Sequence, residues 1–461
     1  MSGTFSSFGS ALSALRYNRV AMDVASNNIS NSLTEGYTRR TAQAQATGAP
    51  AVQALWSKWN GYAGGVEVGG VERMNDPLLD RRARLEHAEL SFLNTRAASL
   101  VRFETTLGEP SDNGVAAALS AFKAGWGDVA NAPADEAARN QLIGRAEILA
   151  AAVQAQDRSI ANEWSDQRTR LTSVVDEANT VASDLAQLNG ALRSAYVAET
   201  DASTLLDRRD QLTLRLAQLT GAKTTVGGDY TVTVSLGGKD LVSNTTAYAL
   251  EVMGPASMTG STADTVTVAV EAAAPASTVT APQSGELLGV LDVLNKDLPA
   301  YRADLDSFVN TLRTAVNAGQ AVGVDLDGTA GATIFTGTSA ADLAVSTSLT
   351  PRNIAAASAA VGGLDTSNAD AIASQDLGAA QYRSMVTRLG VTVASVQRVA
   401  DNQKVLTDQV DASRESLAGV SIDEEMVNLL AAQRAYEGAS RVITTLDSVL
   451  DTLINRTGLT R

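Results

Sequence analysis

His87 is the one imidazole in a chain of 461 residues that contains no cysteine. A catalytic triad, a thiolate nucleophile or a Cys/His zinc site needs a second such group, so His87, on the charged stretch RRARLEHAEL, reads as a solvated or structural residue. The run Val324-Asp325-Leu326-Asp327-Gly328 looks like part of a calcium loop. Setting Gly328 at the sixth loop position, however, puts Gly323 first and Ile334 last, where an acid and a bidentate Glu belong, and a plain turn is expected instead. Asp423-Glu424-Glu425 offers carboxylates for acid–base chemistry, yet adjacent helical residues point in different directions. A place in a first turn, against the positive end of the helix dipole, already accounts for the charges. Leu205-Leu206-Asp207-Arg208-Arg209-Asp210 reads as surface ion pairs around a packed stripe. A Walker-type loop, a G-x-S-x-G elbow and a dinucleotide fingerprint are missing from the sequence. With no catalytic, cofactor or metal residues to name, the chain reads as a structural subunit, not an enzyme.

Composition agrees. A 44% apolar content over this length supports two to four domains. Aromatics make up only 4%, which suits thin bundles with small residues at close contacts better than a deep aromatic pocket. The formal charge of −15 repels phosphate backbones, so nucleic acid is not expected as a partner. No apolar run approaches the ~20 residues of a membrane span, and MSGTFSSFGSALSAL carries neither Lys nor Arg nor an unbroken apolar core, so neither membrane insertion nor a cleaved signal is expected.

The two ends carry matching helical patterns. Phe5, Phe8, Leu12, Leu15, Met22, Ala25 and Ile29 recur at threes and fours, with one slot given to Arg19, and form the seam of an amphipathic helix of about 25 residues. The pattern stops at Asn27, Asn28, Ser30 and Asn31, whose short side chains compete for backbone hydrogen bonds, and Gly36 permits a sharp turn. At the other end Ser421 and Glu424 form a capping box. Ile422, Met426, Leu429, Ala432, Tyr436, Ala439, Ile443, Leu446, Leu450 and Leu453 then continue a coiled-coil seam about four heptads long. Isolated helices gain too little from propensity to stand alone, so each end is the other's nearest partner.

The middle reads mainly as helix. One stripe runs from Leu90 to Leu107 and ends at Gly108-Glu109-Pro110. Another starts after Pro133-Ala134-Asp135 and continues to about Tyr196, a rod of ~90 Å at 1.5 Å per residue. A third holds Leu205 to Leu219 and stops at Gly221, and later helices are expected around Leu287 to Val316 and about Asp370 to Leu417. Between 221 and 284 the texture turns to β: YTVTVSL, a Gly237-Gly238 hairpin turn, then TAYALEVM and TVTVAVE. The expected fold is therefore mainly α with an inserted β domain. Residues 1–45 and 420–461 form a terminal coiled coil. Residues 46–220 and 285–419 form an elongated helical domain with excursions near 46–75 and 321–350, and 221–284 form the small β domain.

The borders of the terminal helices carry a resemblance. Ala25-Ser26-Asn27-Asn28-Ile29-Ser30-Asn31, followed by Thr34-Glu35-Gly36-Tyr37-Thr38-Arg39, resembles the N-terminal motif of the flagellar rod, hook and hook-associated axial proteins. Ser421-Ile422-Asp423-Glu424-Glu425-Met426, Leu429-Leu430, Gln433-Arg434-Ala435-Tyr436 and Arg441-Val442-Ile443 are similar to their closing helix. Along the interior, Gly65 to Val68, Asp76 to Arg82, Leu205 to Leu212, Gly285 to Gly289, Asp325 to Gly328 and Arg414 to Val420 resemble the hook-associated members at the hook–filament junction, whose middle is helical where hook and rod subunits are dominated by β structure.

This resemblance implies a fold in which the terminal helices line an axial channel and the β domain lies at larger radius. It also implies partners: further copies in a ring or helical layer, hook subunits below, and the next junction protein (the third hook-associated protein) and filament above. An export chaperone is implied on the C-terminal helix, over the apolar face that includes Ile422, Met426, Leu429, Tyr436, Ile443, Leu446, Leu450 and Leu453. Export without a cleaved signal and an extracellular location follow from the same likeness, and the inserted β region looks smaller than the outer part of larger members.

Overall fold

A computed structural model describes residues 2–47, 64–258, 265–271, 277–278, 282–359, 361 and 364–452, with backbone alone for 2–6 and 277–278. The chain begins with α1 (Ser2–Ser30) and a hairpin of β1 (Arg40–Thr47) and β2 (Gly65–Arg73). Four helices follow: α2 (Pro77–Leu107), α3 (Val115–Asn131), α4 (Glu136–Val197) and α5 (Ser203–Thr220). Two small antiparallel sheets come next, β3 (Lys223–Val226), β4 (Val232–Leu236), β5 (Lys239–Ser243) and β6 (Thr246–Ala247) in the first, β7 (Leu250–Met253), β8 (Thr267–Val270) and β9 (Ser277–Thr278) in the second. After them α6 (Gly285–Asp292) runs through a π turn, Val293–Asp297, into α7 (Leu298–Val322). Short pairs of strands, β10 (Gly323–Val324) with β13 (Ala357–Ser358) and β11 (Phe335–Thr336) with β12 (Ala344–Val345), lead to α8 (Ser367–Ser374), α9 (Ala379–Ala418) and α10 (Ile422–Asp451).

The long rod is present. α4 holds 62 residues and, at 1.5 Å rise, spans roughly 93 Å. Asp135 caps it by accepting from the Ala137 N–H at 2.8 Å. One apolar stripe of α4, from Leu142 through Val153, Ile160 and Leu171 to Leu185, runs the length of a continuous core shared with α3, α6, α7 and the strands β4, β5, β7 and β8. Each such leucine or isoleucine, fully withdrawn from water, contributes about 1.5–3 kcal/mol. The helix-end signals also hold: Gly108 and Gly221 take up left-handed φ of 58° and 68° at the ends of α2 and α5.

The β region leaves and re-enters the helical body at one point. Gly221 and Gly285 both have positive φ and lie back to back, and a Cβ on Gly285 would sit 2.5 Å from the Gly221 nitrogen. Three asparagines tie its strands to the helices through both faces of their side-chain amides, as a neighbouring strand would. Asn189 of α4 donates to Val232 O and accepts from Val232 N–H, Asn179 does the same with Leu250, and Asn295 of the π turn does so with Val266. The sheets therefore pack on α4 within the common core, and among the described residues no second core closes around them.

Four details depart from the sequence reading. The helix α3, with Phe122 and Trp126 fully buried, lies where no helix was named. A Cβ on its Gly125 would come within 3.0 Å of the Leu142 side chain of α4. The stretch expected to be helical from Asp370 is broken before α9, because Leu377 and Gly378 adopt positive φ of 52° and 83°. The excursion near 321–350 extends to β13. Finally, the β1–β2 hairpin packs along α1, so a boundary at 45 falls inside it; the tip, 48–63, lies outside the described residues.

Candidate assembly interface

α1 and α10 run antiparallel, the last turn of α1 against the first turn of α10, and pack together along their length. On α10 the line Glu425, Leu429, Ala432, Ala439, Ile443, Leu446 and Leu450 turns inward at heptad spacing. On α1 the deepest side chains are Ala11, Ala25 and Asn28, with Leu15, Met22 and Ile29 half-buried. Small residues at 11 and 25 let the helices approach closely, and the larger ones flank the contact.

The expected seams are thus placed only in part. Leu429, Ile443, Leu446 and Leu450 face α1, whereas Ile422 (46% exposed), Met426 (50%) and Tyr436 (37%) do not close on it. The reason is Glu425, which takes the inward slot of the first turn and leaves Met426 one residue out of register. Phe8 and Leu12 are each 37% exposed; the Phe5 side chain and Leu453 lie outside the described residues. Opposite the seam, Val427, Ala431, Gly438, Val442 and Val449 of α10 recur at fours and sevens and are all exposed. This second apolar line has no partner among the described residues.

The corner that follows α1 joins this pair to the rest. Asn28, fully buried, uses every polar atom: its Nδ2 donates to Glu425 Oε2 at 2.8 Å and to Arg40 O at 2.9 Å, and its Oδ1 accepts from the Tyr37 hydroxyl at 2.8 Å and the Arg40 N–H at 3.1 Å. Glu425 also accepts from Arg39 Nε at 2.9 Å, and Arg39 reaches Glu424 at 3.3 Å. A buried carboxylate is tolerated because Asn28 and Arg39 satisfy it. The Arg39 backbone makes two more links, its N–H to Ala418 O at the end of α9 and its carbonyl to the Met74 N–H where β2 leaves the hairpin.

Beyond the corner the contacts pass to α5. Arg40 and Arg73 both bind Asp207, at 3.0 and 2.8 Å, and Arg73 also binds Asp210 at 2.8 Å. Asp207 and Arg209 are buried, so the charges expected to form surface ion pairs instead form the floor of a junction. Gly36, at φ 75°, lies under the Gln211 side chain, which donates to Glu35 O; a Cβ there would come within 2.1 Å of the Gln211 amide. The Arg40 guanidinium lies 5.0 Å from the centre of the Tyr37 ring. Burial pushes the Tyr37 hydroxyl above its ordinary value, against the lowering effect of Arg40, so the phenol stays protonated and keeps its bond to Asn28.

Of the remaining motif residues, Asn31 closes the end of α1 by donating to Asn27 O at 2.9 Å, and Thr34 binds Asn31 Oδ1 at 3.4 Å. A cleft of about 600 Å³ lies beside the corner between α2, α5 and α9, and His87 borders it. His87 bridges these helices, with Nε2 2.9 Å from Asp411 and Nδ1 3.4 Å from Gln218, a structural placement. The Asp325 carboxylate accepts from the N–H groups of Asp327 and Thr329, so this segment is a turn. Among the described residues no cluster of three acids or histidines is placed to hold a metal ion, and no helix is long and apolar enough to cross a membrane.

Comparison with known families now bears on this arrangement. A model of the flagellar basal body rod protein matches residues 8–38, and one of the C-terminal part of the flagellar basal body rod FlgEFG protein matches residues 415–456, the two partners of the helix pair. A model of the helical domain of flagellar hook-associated protein FlgK matches residues 100–335, just over half of the chain. The chain belongs to the FlgK family. Flagellar hook-associated protein 1 of Bacillus subtilis is 25% identical over 511 aligned positions, covering all of this chain and 99% of the relative. The Salmonella typhimurium protein of the same name is 30% identical over 70% of this chain but 58% of its own length, and the Escherichia coli protein 29% identical over 70% and 59%. The alignments thus span about three fifths of these two relatives. The solved structure of the flagellar hook junction protein FlgK from Burkholderia pseudomallei matches with 26% identity and a TM-score of 0.50, over 56% of this chain and 46% of that one.

Sequence reasoning named Asn28, Glu425 and Asp207 but gave each a local role. Their partners lie as far as 397 residues away, and no spacing rule links them.

Proposed function

We propose that this FlgK-family chain is a structural subunit of the bacterial flagellum, placed at the junction of hook and filament, and that its terminal helices assemble it with neighbouring subunits. The observation that carries this reading is the second apolar line on α10, from Val427 to Val449. A lone two-helix pair buries one face of each helix, and a second face at the same spacing needs further helices around it.

In the assembly, copies form a ring or helical layer whose α1–α10 pairs line the axis, with hook subunits on one side and the next junction protein and filament on the other. Before export the apolar face of α10 is the surface that a chaperone would cover. The subunit is exported without a cleaved signal and works outside the cell as a structural part, with no reaction assigned to it. On this reading the helical body, residues 77–220 and 285–419, carries the β region, 221–284, away from the axis.

A second reading, a hook or rod subunit, is favoured by the rod-type matches at both ends. The match across the helical interior weighs against it. Electron microscopy of cells lacking the gene separates them: a junction subunit leaves complete hooks without filaments, whereas a hook or rod subunit leaves no hooks. Filaments of normal length in such cells would overturn both.

A further inference from the structure

Two helical stripes face each other across a gap at the far end of α9. Ala116, Leu119 and Lys123 of α3, and Ala379, Arg383 and Val386 of α9, recur at threes, fours and sevens and enclose a cavity of about 590 Å³. Glu109, just past the Gly108 cap, closes one end. Its Oε1 accepts from the Tyr382 hydroxyl at 2.8 Å and from the Ala116 N–H at 3.4 Å, while its Oε2 is buried and has no hydrogen-bond partner among the described residues.

The cations of the groove are also unpaired. Lys296 and Lys404 bind Asp292 and Asp408, and Lys223 and Lys239 are exposed to water; Lys123 alone of the described lysines is half-buried without an ion-pair partner. Arg383 on the opposite wall is exposed to water and pairs with no described carboxylate. A half-buried cation without an anion favours an occupant that supplies one.

We propose that this groove receives a segment of a neighbouring flagellar subunit, about two helical turns long, with an apolar face and a carboxylate. The walls run for seven or eight residues, roughly 11 Å, which is the length of two turns. Val386 and the alanines take the apolar face, and Lys123 and Arg383 take the carboxylate. The positive end of the segment's dipole faces Glu109, the acid that closes the groove. This contact rests on the reading of the chain as a flagellar subunit.

The test places a photoreactive benzoylphenylalanine at Ser120, on the groove rim, in cells that assemble flagella from this chain. After irradiation, the expected adduct joins the chain to another flagellar subunit, at a peptide in which Asp or Glu lies within one turn of an apolar residue. The pair Lys123→Glu and Arg383→Glu should lower its yield at least tenfold, and Lys123→Gln with Arg383→Gln should lower it less. Circular dichroism checks that the variants fold, and the neutral pair serves if the charge reversal does not. Adducts confined to the chain itself, or a yield unchanged by both pairs, would overturn the groove contact while leaving the proposed function intact. Absence of the unmodified chain from purified flagella would overturn both.

Discussion

Replacing Asn28 with alanine should detach the helix pair from the body without unfolding the body. The side chain makes four hydrogen bonds, one of them to the buried Glu425 carboxylate, and no water reaches it. At about 1 kcal/mol for each of the three neutral bonds and about 1.5–3 kcal/mol for the one to a charge, the loss is about 4.5–6 kcal/mol. That corresponds to a rise of about three to four powers of ten in the population with the corner open. Arg39 and Arg40 are tryptic sites in this corner, and when reclosing outpaces cleavage the cutting rate follows that population. Cutting there should therefore accelerate at least about a hundredfold, while the main melting transition, set by the core along α4, stays within a degree or two. An acceleration below about fivefold would show that Asn28 does not hold the corner. A main transition that falls with it would show that pair and body unfold as one unit.

Gly36→Ala should open the same corner by at least about 1–2 kcal/mol from the left-handed backbone alone. Adding Gln211→Ala should relieve the steric part and leave the backbone part, as read by the same proteolysis. Leu446→Asp with Leu450→Asp, both facing α1, should abolish incorporation into flagella while the circular dichroism of α4 and its partners persists; full filaments from this variant would refute the seam. The Tyr37 hydroxyl has a folded value raised above its unfolded one, so its contribution is complete below about pH 10 and is lost as pH rises through the folded value. Tyr37→Phe should remove that alkaline component of corner opening, measured by hydrogen exchange at the Arg39 and Arg40 amides.

The long helix was legible because its stripe repeats without interruption and each turn reports the same face. The hairpin at Gly237-Gly238 was legible because two adjacent glycines at a strand end have few other uses; both have positive φ. The helix α3 carries an equally plain pattern, Val115, Leu119, Phe122, Trp126 and Val129, but Gly125 and Gly127 lower its local propensity and tertiary packing against α4 overrides them. Along α10 the pattern gave the seam from Leu429 onward and failed in the first turn, since a hydrophobic template cannot assign an inward position to Glu425. The junction itself was the least readable part. Its charges pair across elements from the start, the middle and the end of the chain, and those partners become neighbours only after the fold is complete.

Apart from the hairpin that folds back along α1, the chain crosses between helix pair and body at two places, from β2 into α2 and from α9 into α10. The Arg39 peptide bonds to both crossings at once, to Met74 on one side and Ala418 on the other. Two covalent legs clamped by a cross-tie make a joint that resists shear between them. If one leg swings past the other, both backbone bonds must break; if both swing together, neither does. Such a cross-tie carries a load on the helix pair into α2 and α9 together.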